Sequence, residues 1–199
     1  MTTTATDFDA TRVAGSHGAP WFGTYALDFV TPQLNQVAAL WEARRGSRTM
    51  PSRGDLTIRE LKHVLPHVTF MDIVRGSEGL RFRVRLMGSV LDQLVAPITG
   101  RFIDEVVPQH FATKWTEQWM PAIDGRRPRR AAGRVEYAER RWYVAESLYA
   151  PLAQDGDAPD ILMVVAFYHA LDKSDGAAKA DLAGRLAAEI NACSEAATR

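Results

Sequence analysis

Apolar and polar residues alternate along Leu80–Met87, where Leu80, Phe82, Val84 and Leu86 are separated by Arg81, Arg83 and Arg85. A period of two predicts a strand with one apolar and one basic face. The run His67–Val74 precedes it across Gly76-Ser77-Glu78-Gly79, a turn-rich link that predicts an antiparallel hairpin. The period then lengthens. Phe111, Trp115, Trp119 and Ile123 recur every four residues and predict a central helix over Pro108–Ile123 with one aromatic face. Three β-type runs close the pattern: Val135–Tyr137, Trp142–Leu148 and Ile161–Tyr168.

Ahead of the hairpin, Leu34, Val37, Ala38 and Trp41 share a helical face. That helix is predicted to start at Pro32 with Thr31 as N-cap and to stop at Arg45-Gly46. A second, shorter helix is predicted over Gly54–Leu65, capped by Asp55 or Thr57 and ended by Pro66. Behind the last strand, Ala177–Ala197 carries a narrow stripe of Leu182, Leu186, Ile190 and Cys193, suited to docking on its own sheet or on a second copy. Met1–Pro20 is rich in Thr, Ala and Gly and buries too little to order itself. The expected organisation is a flexible tail over 1–30, a domain over 31–171 that includes the N-terminal flanking helix, and a linker with C-terminal helix over 172–199.

With 199 residues and 46% apolar content, the chain can bury one substantial core. Its 24 basic and 24 acidic residues cancel, so no global field draws it to nucleic acid or to an anionic membrane. The sequence begins with no signal-type segment, and its longest apolar run, Ile161–Ala170, is too short to span a bilayer. A single cysteine, Cys193, forms no internal disulfide, which fits a cytoplasmic location.

The segments Leu40-Trp41-Glu42 to Pro51-Ser52-Arg53-Gly54-Asp55, Leu65-Pro66, Arg83-Val84-Arg85-Leu86-Met87-Gly88-Ser89, Thr99-Gly100 and Glu146-Ser147-Leu148-Tyr149-Ala150-Pro151-Leu152 form a pattern along the chain. Together they resemble the bacterial stand-alone PAS-like domain family of the PAS_5 type. The resemblance spans roughly residues 35 to 170 and departs from the pattern at Ser89, where Thr is more usual, and in its longer tails. It implies an α+β PAS fold: five antiparallel strands in the order 2-1-5-4-3, with helices on one face, flanked by the N- and C-terminal helices. The element order agrees independently, since a hairpin, helices and three more strands segregate helices to one side of an antiparallel sheet. An NTF2-like cone is the rival architecture.

Candidate chemistry is sparse. A ligand held between the central helix and the sheet would meet Phe111, Trp115 and Trp119 on one side and Val135, Val144, Met163 and Val165 on the other; the same residues equally make a filled core. His63 and His67 are four apart, but Pro66 intervenes and no third ligand is near, which favours surface or capping roles over a metal. His110 stands where haem-binding relatives place an axial ligand, yet it fits a solvated helix start, and no haem is expected. No cysteine lies in the helical middle, so no flavin adduct is expected either. Arg126-Arg127-Pro128-Arg129-Arg130 could grip a phosphate, or else form a solvated loop feeding an edge strand. Arg83, Arg85 and Glu146 suit ion pairs on an exposed sheet face, or Glu146 a buried acid. Elbow, phosphate-loop and zinc-protease motifs are absent, and Asp104-Glu105 reads as a helix start.

The expected function is therefore a non-enzymatic sensory or interaction module that acts through a partner signalling protein, pairs with a second copy through its flanking helices, and takes a small molecule if any. Two alternatives stand beside it: an isomerase- or hydrolase-type enzyme on an NTF2-like cone with Glu146 or Asp104 as base, and a structural dimerisation module with a filled core.

Overall fold

The computed structural model describes residues 21–77, 79–94, 98–137, 141–154, 157–171 and 177–197. Its centre is one antiparallel sheet of β1 (Trp21–Thr24), β2 (Val68–Gly76), β3 (Gly79–Met87), β4 (Arg129–Tyr137), β5 (Arg141–Leu152) and β6 (Ile161–Ala170). The spatial order is β1-β4-β5-β6-β2-β3. Both the strand count and the order thus differ from the expected five-strand 2-1-5-4-3. The difference arises at Trp21–Thr24, assigned from sequence to a tail, which pairs with Arg130–Gly133 as a sixth, edge strand.

Glycines make room for that edge strand. A Cβ on Gly133 would stand 2.2 Å from the Trp21 indole, and one on Gly23 would stand 2.3 Å from the Arg129 guanidinium. Trp21 and Phe22 then straddle the sheet, each half-buried against a different cluster. Between β1 and the following helix, Tyr25, Ala26 and Asp28 are exposed while Phe29 is buried.

Helices cover both sheet faces, not one. On the first lie α3 (Ser89–Leu94), α4 (Ile103–Val106) and α5 (Gln109–Gly125). On the second lie α1 (Pro32–Arg45), α2 (Ile58–Leu61) and α6 (Ala177–Ala197). The predicted Gly54–Leu65 helix is instead three short turns: a 3-10 turn at Arg53–Asp55, α2, and a 3-10 turn at Leu65–His67. Reciprocal capping boxes at Ser52/Asp55 and Thr57/Glu60 restart the chain twice within that stretch.

Double coverage explains β6, whose first seven residues are all buried. Leu162, Val164 and Ala166 pack toward α5, while Ile161, Met163, Val165 and Phe167 pack toward α1. A register shift between Phe70 and Met71 breaks the alternation on β3. Phe82 and Val84 stay buried, but Leu86 is turned out to 39% exposure and Met87 takes its place on the α5 side. Both flanking helices spend their apolar faces on their own sheet: Leu34, Val37, Ala38 and Trp41 of α1, and Ala183, Leu186 and Ile190 of α6.

Candidate functional site

The first candidate is the α5 face. Pro108 precedes the helix, and Arg126 ends it in a left-handed conformation, φ 51°, its N–H returning to the Ala122 and Ile123 carbonyls. Phe111, Trp119 and Ile123 are buried, with Trp115 packed beside them. Trp119 meets Phe82 edge-on at a centroid distance of 4.9 Å and Trp115 at 6.1 Å. Such geometry suits the aromatic quadrupole and fills the layer between helix and sheet.

Of the seven residues expected to line this layer, Phe111, Trp115 and Trp119 are brought together. Met163 and Val165 lie on the opposite face against α1, and Val144 lies under α6. The sequence reading is out of phase by one residue on β6, where both faces are apolar and alternation carries no signal. Val135, on β4, pairs with Tyr143 of β5, and its side chain falls outside the described residues. The actual partners of α5 are Leu162, Val164, Ala131 and Tyr149.

Two phenols bring polarity to this face. Tyr149 donates from its hydroxyl to Gln118 Oε1 at 2.9 Å. Burial raises its pKa, and burial pushes Tyr168 up to about 12, so both hydroxyls stay protonated as donors. Asp92 Oδ1 on α3 is buried without a hydrogen-bond partner among the described residues, and desolvation raises its carboxyl pKa.

The second candidate sits on the other face. Glu146 is 0% exposed and Arg130 1% exposed. Arg130 Nε donates to Glu146 Oε1 at 2.6 Å, and its two terminal nitrogens donate to Glu189 of α6 at 2.5 and 2.7 Å. The backbone N–H groups of Val30 and Thr31 donate to the two Glu146 oxygens at 3.0 and 2.7 Å. Burial acts to lower the Arg130 pKa, but the bonds to Glu189 and Glu146 outweigh it and the net shift is upward. One guanidinium thus joins the N-terminal approach, the sheet and the terminal helix.

Aromatic rings extend this set. His67 stacks on Phe167 at 4.0 Å, Phe167 on His169 at 6.4 Å, and His169 Nε2 lies 3.0 Å from Thr31 Oγ1. His67 is therefore half-buried and held by its ring rather than free on the surface or capping a helix; Thr31, the predicted N-cap, makes no side-chain cap bond. Sequence reasoning missed Glu189 and placed Arg130 in a basic cluster rather than beside Glu146. The available signal was Glu146 itself, since a carboxylate amid Val144-Ala145 and Ser147-Leu148 needs a partner once that strand is buried.

The basic cluster is a solvated loop only in its first half, where Arg126 and Arg127 are exposed ahead of β4. Arg129 and Arg130 are in β4, Arg129 donates to the Gln118 carbonyl at 3.2 Å, and the Arg127 guanidinium lies 3.6 Å over the Tyr25 ring. Arg83 and Arg85 share Asp72, and Arg81 grips Asp104 and Glu105. Among the described residues no group of three or more His, Cys, Asp or Glu is placed to hold a metal ion. Among the same residues no helix is long and apolar enough to cross a membrane.

A PAS domain family model, PAS_5, matches residues 30–165, more than half of the chain. The chain belongs to the PAS domain family. No curated protein and no solved structure matches it. The PAS match begins at Val30, the first residue to donate to Glu146, and ends within β6. Edge strand β1 and helix α6 lie outside it; Arg130 pairs in register with Thr24 of β1 and donates to Glu189 of α6, so this one residue meets both flanks, while Val30 and Thr31 fall inside the match.

Proposed function

We propose that this PAS domain is a non-enzymatic sensory or interaction module whose output is carried by its flanking segments to a partner protein. The observation that carries the reading is the Arg130 guanidinium, bonded both to the carboxylate that anchors Val30 and Thr31 and to Glu189 on α6. A shift of the sheet that moves β4 against β5 strains both flanks together. A signalling partner, or a second copy meeting the flanking helices, would read that strain, and the cytoplasm is the compartment that suits the lone Cys193.

Occupied carboxylates weigh against the enzyme reading. A general base needs a free lone pair facing a substrate. Glu146 accepts from Arg130, Val30 and Thr31, and Asp104 is held by Arg81, whose bond lowers its pKa. The ligand part of the reading rests on the α5 face, where a small apolar molecule would have to displace or adjoin the Trp119 and Phe82 rings and meet Tyr149 and Asp92.

Native mass spectrometry of the purified chain, with a search for any compound released on unfolding, tests the ligand part. Affinity capture with wild type and with the Arg130→Met/Glu146→Leu variant tests the output part. A specific partner retained by wild type and lost by the folded variant is expected. A partner held equally by both would refute the role of the flanks, and turnover abolished by Glu146→Gln would replace the module with an enzyme.

A further inference from the structure

A concavity of about 430 Å³ opens on the surface where the end of α1 meets the start of β4. Its floor is buried Trp41 and Pro128, and its rim carries Arg45, Arg48 and Arg127 with Ser47. Glu42 is the carboxylate among the lining residues, so guanidinia outnumber acids there in a chain whose total charge is zero. We propose that this groove binds a phosphorylated small molecule through Arg48 and Arg127.

The arginines are held in place before any ligand arrives. Arg48 donates to the Arg44 carbonyl at 2.7 Å and the Arg45 carbonyl at 3.3 Å and pairs with Asp55 at 2.8 Å, which satisfies the exposed carbonyl end of α1 and, among the described residues, leaves its other terminal nitrogen without a partner. Arg45 pairs with Glu42 and donates to the Arg48 carbonyl at 3.0 Å. The Arg127 guanidinium lies over the Tyr25 ring, whose hydroxyl donates to the Pro121 carbonyl at 2.7 Å. Among the described residues no carboxylate lies within ion-pair distance of Arg126, Arg127 or Arg129. A planar fork fixed by stacking, with its donors uncommitted, matches the bidentate geometry of a phosphate group.

The concavity lies within the volume range of small-molecule sites, but its walls are charged rather than apolar. That selects a ligand recognised through its anionic group. None of the residues lining the groove belongs to the aromatic face of α5, so the proposal does not require a ligand there.

Isothermal titration with inorganic pyrophosphate at fixed ionic strength is the test. Saturable single-site binding is expected, weakened about tenfold or more by Arg127→Gln and by Arg48→Gln, and unchanged by Arg59→Gln, an exposed arginine on α2. Melting curves confirm that each variant is folded. No saturable heat, or an equal loss in Arg59→Gln, overturns the proposal. A phosphopeptide that binds where pyrophosphate does not would reassign the groove to a protein partner and overturn it as well.

Discussion

Replacing Arg130 with Met separates the buried charge pair most cleanly. Arg130 and Glu146 are both almost wholly shielded from water, and removing one partner strands the other as an uncompensated buried charge. The cost of that is about 3–5 kcal/mol, which for a chain of this size lowers Tm by roughly 6–20 °C. Changing Glu146 to Leu in the same molecule removes the stranded charge. What remains unmet are the Val30 and Thr31 N–H groups, of which Thr31 is buried, at about 1–3 kcal/mol for the buried one. The double variant should therefore be more stable than Arg130→Met alone, a rescue that pairwise contact loss cannot produce. Glu189→Gln, whose side chain is 35% exposed, should cost under about 1 kcal/mol. Urea unfolding of the four proteins gives the comparison. A double variant as unstable as, or less stable than, the single one would refute the assignment of a buried charge pair.

Three further outcomes follow from the packing. Trp119→Ala removes the ring that meets Phe82 and should cost about 3–5 kcal/mol in chemical denaturation; a loss under about 1 kcal/mol would place the ring outside the core. Gly133→Ala would drive a methyl into the Trp21 indole, so hydrogen exchange should rise at residues 21–24 while the central strands keep their protection; unchanged exchange there would remove β1 from the edge. Burial, partly opposed by the Ala166 carbonyl, holds the His67 imidazole below its ordinary 6.5. The folded state then keeps the ring neutral while the unfolded chain takes up a proton, so this contribution is present above pH 6.5 and is lost as the pH falls below it. The pH dependence of unfolding should flatten over that window in His67→Gln, and an unaltered profile would contradict the sign.

What could be read before the structure was the order of elements and the aromatic face of α5, because both depend on local spacing. Phe111, Trp119 and Ile123 are buried as the four-residue repeat requires. The facing strand residues were not legible: β6 is apolar at every position from Ile161 to Phe167, so parity has no polar side to reveal it. Leu86 escaped for a different reason, since a bulge shifts phase without leaving a glycine or proline as a marker. Trp21–Thr24 was hidden by its length, four residues whose placement depends on Gly133 and Gly23 rather than on any pattern of its own. Arg130 stood inside a run of arginines that the sequence does not tell apart, of which only Arg129 and Arg130 enter β4.

Hydrogen exchange of Glu189→Ala against wild type tests the coupling most directly, because the substitution is on α6 and the readout is at the other end of the chain. Exchange should rise at Val30 and Thr31 as well as along α6, since Arg130 loses one of the two carboxylates that hold it and is fixed less firmly against the other, Glu146. Increased exchange confined to α6, with Val30 and Thr31 unchanged, would contradict the account of a PAS domain whose two flanks answer to one buried charge.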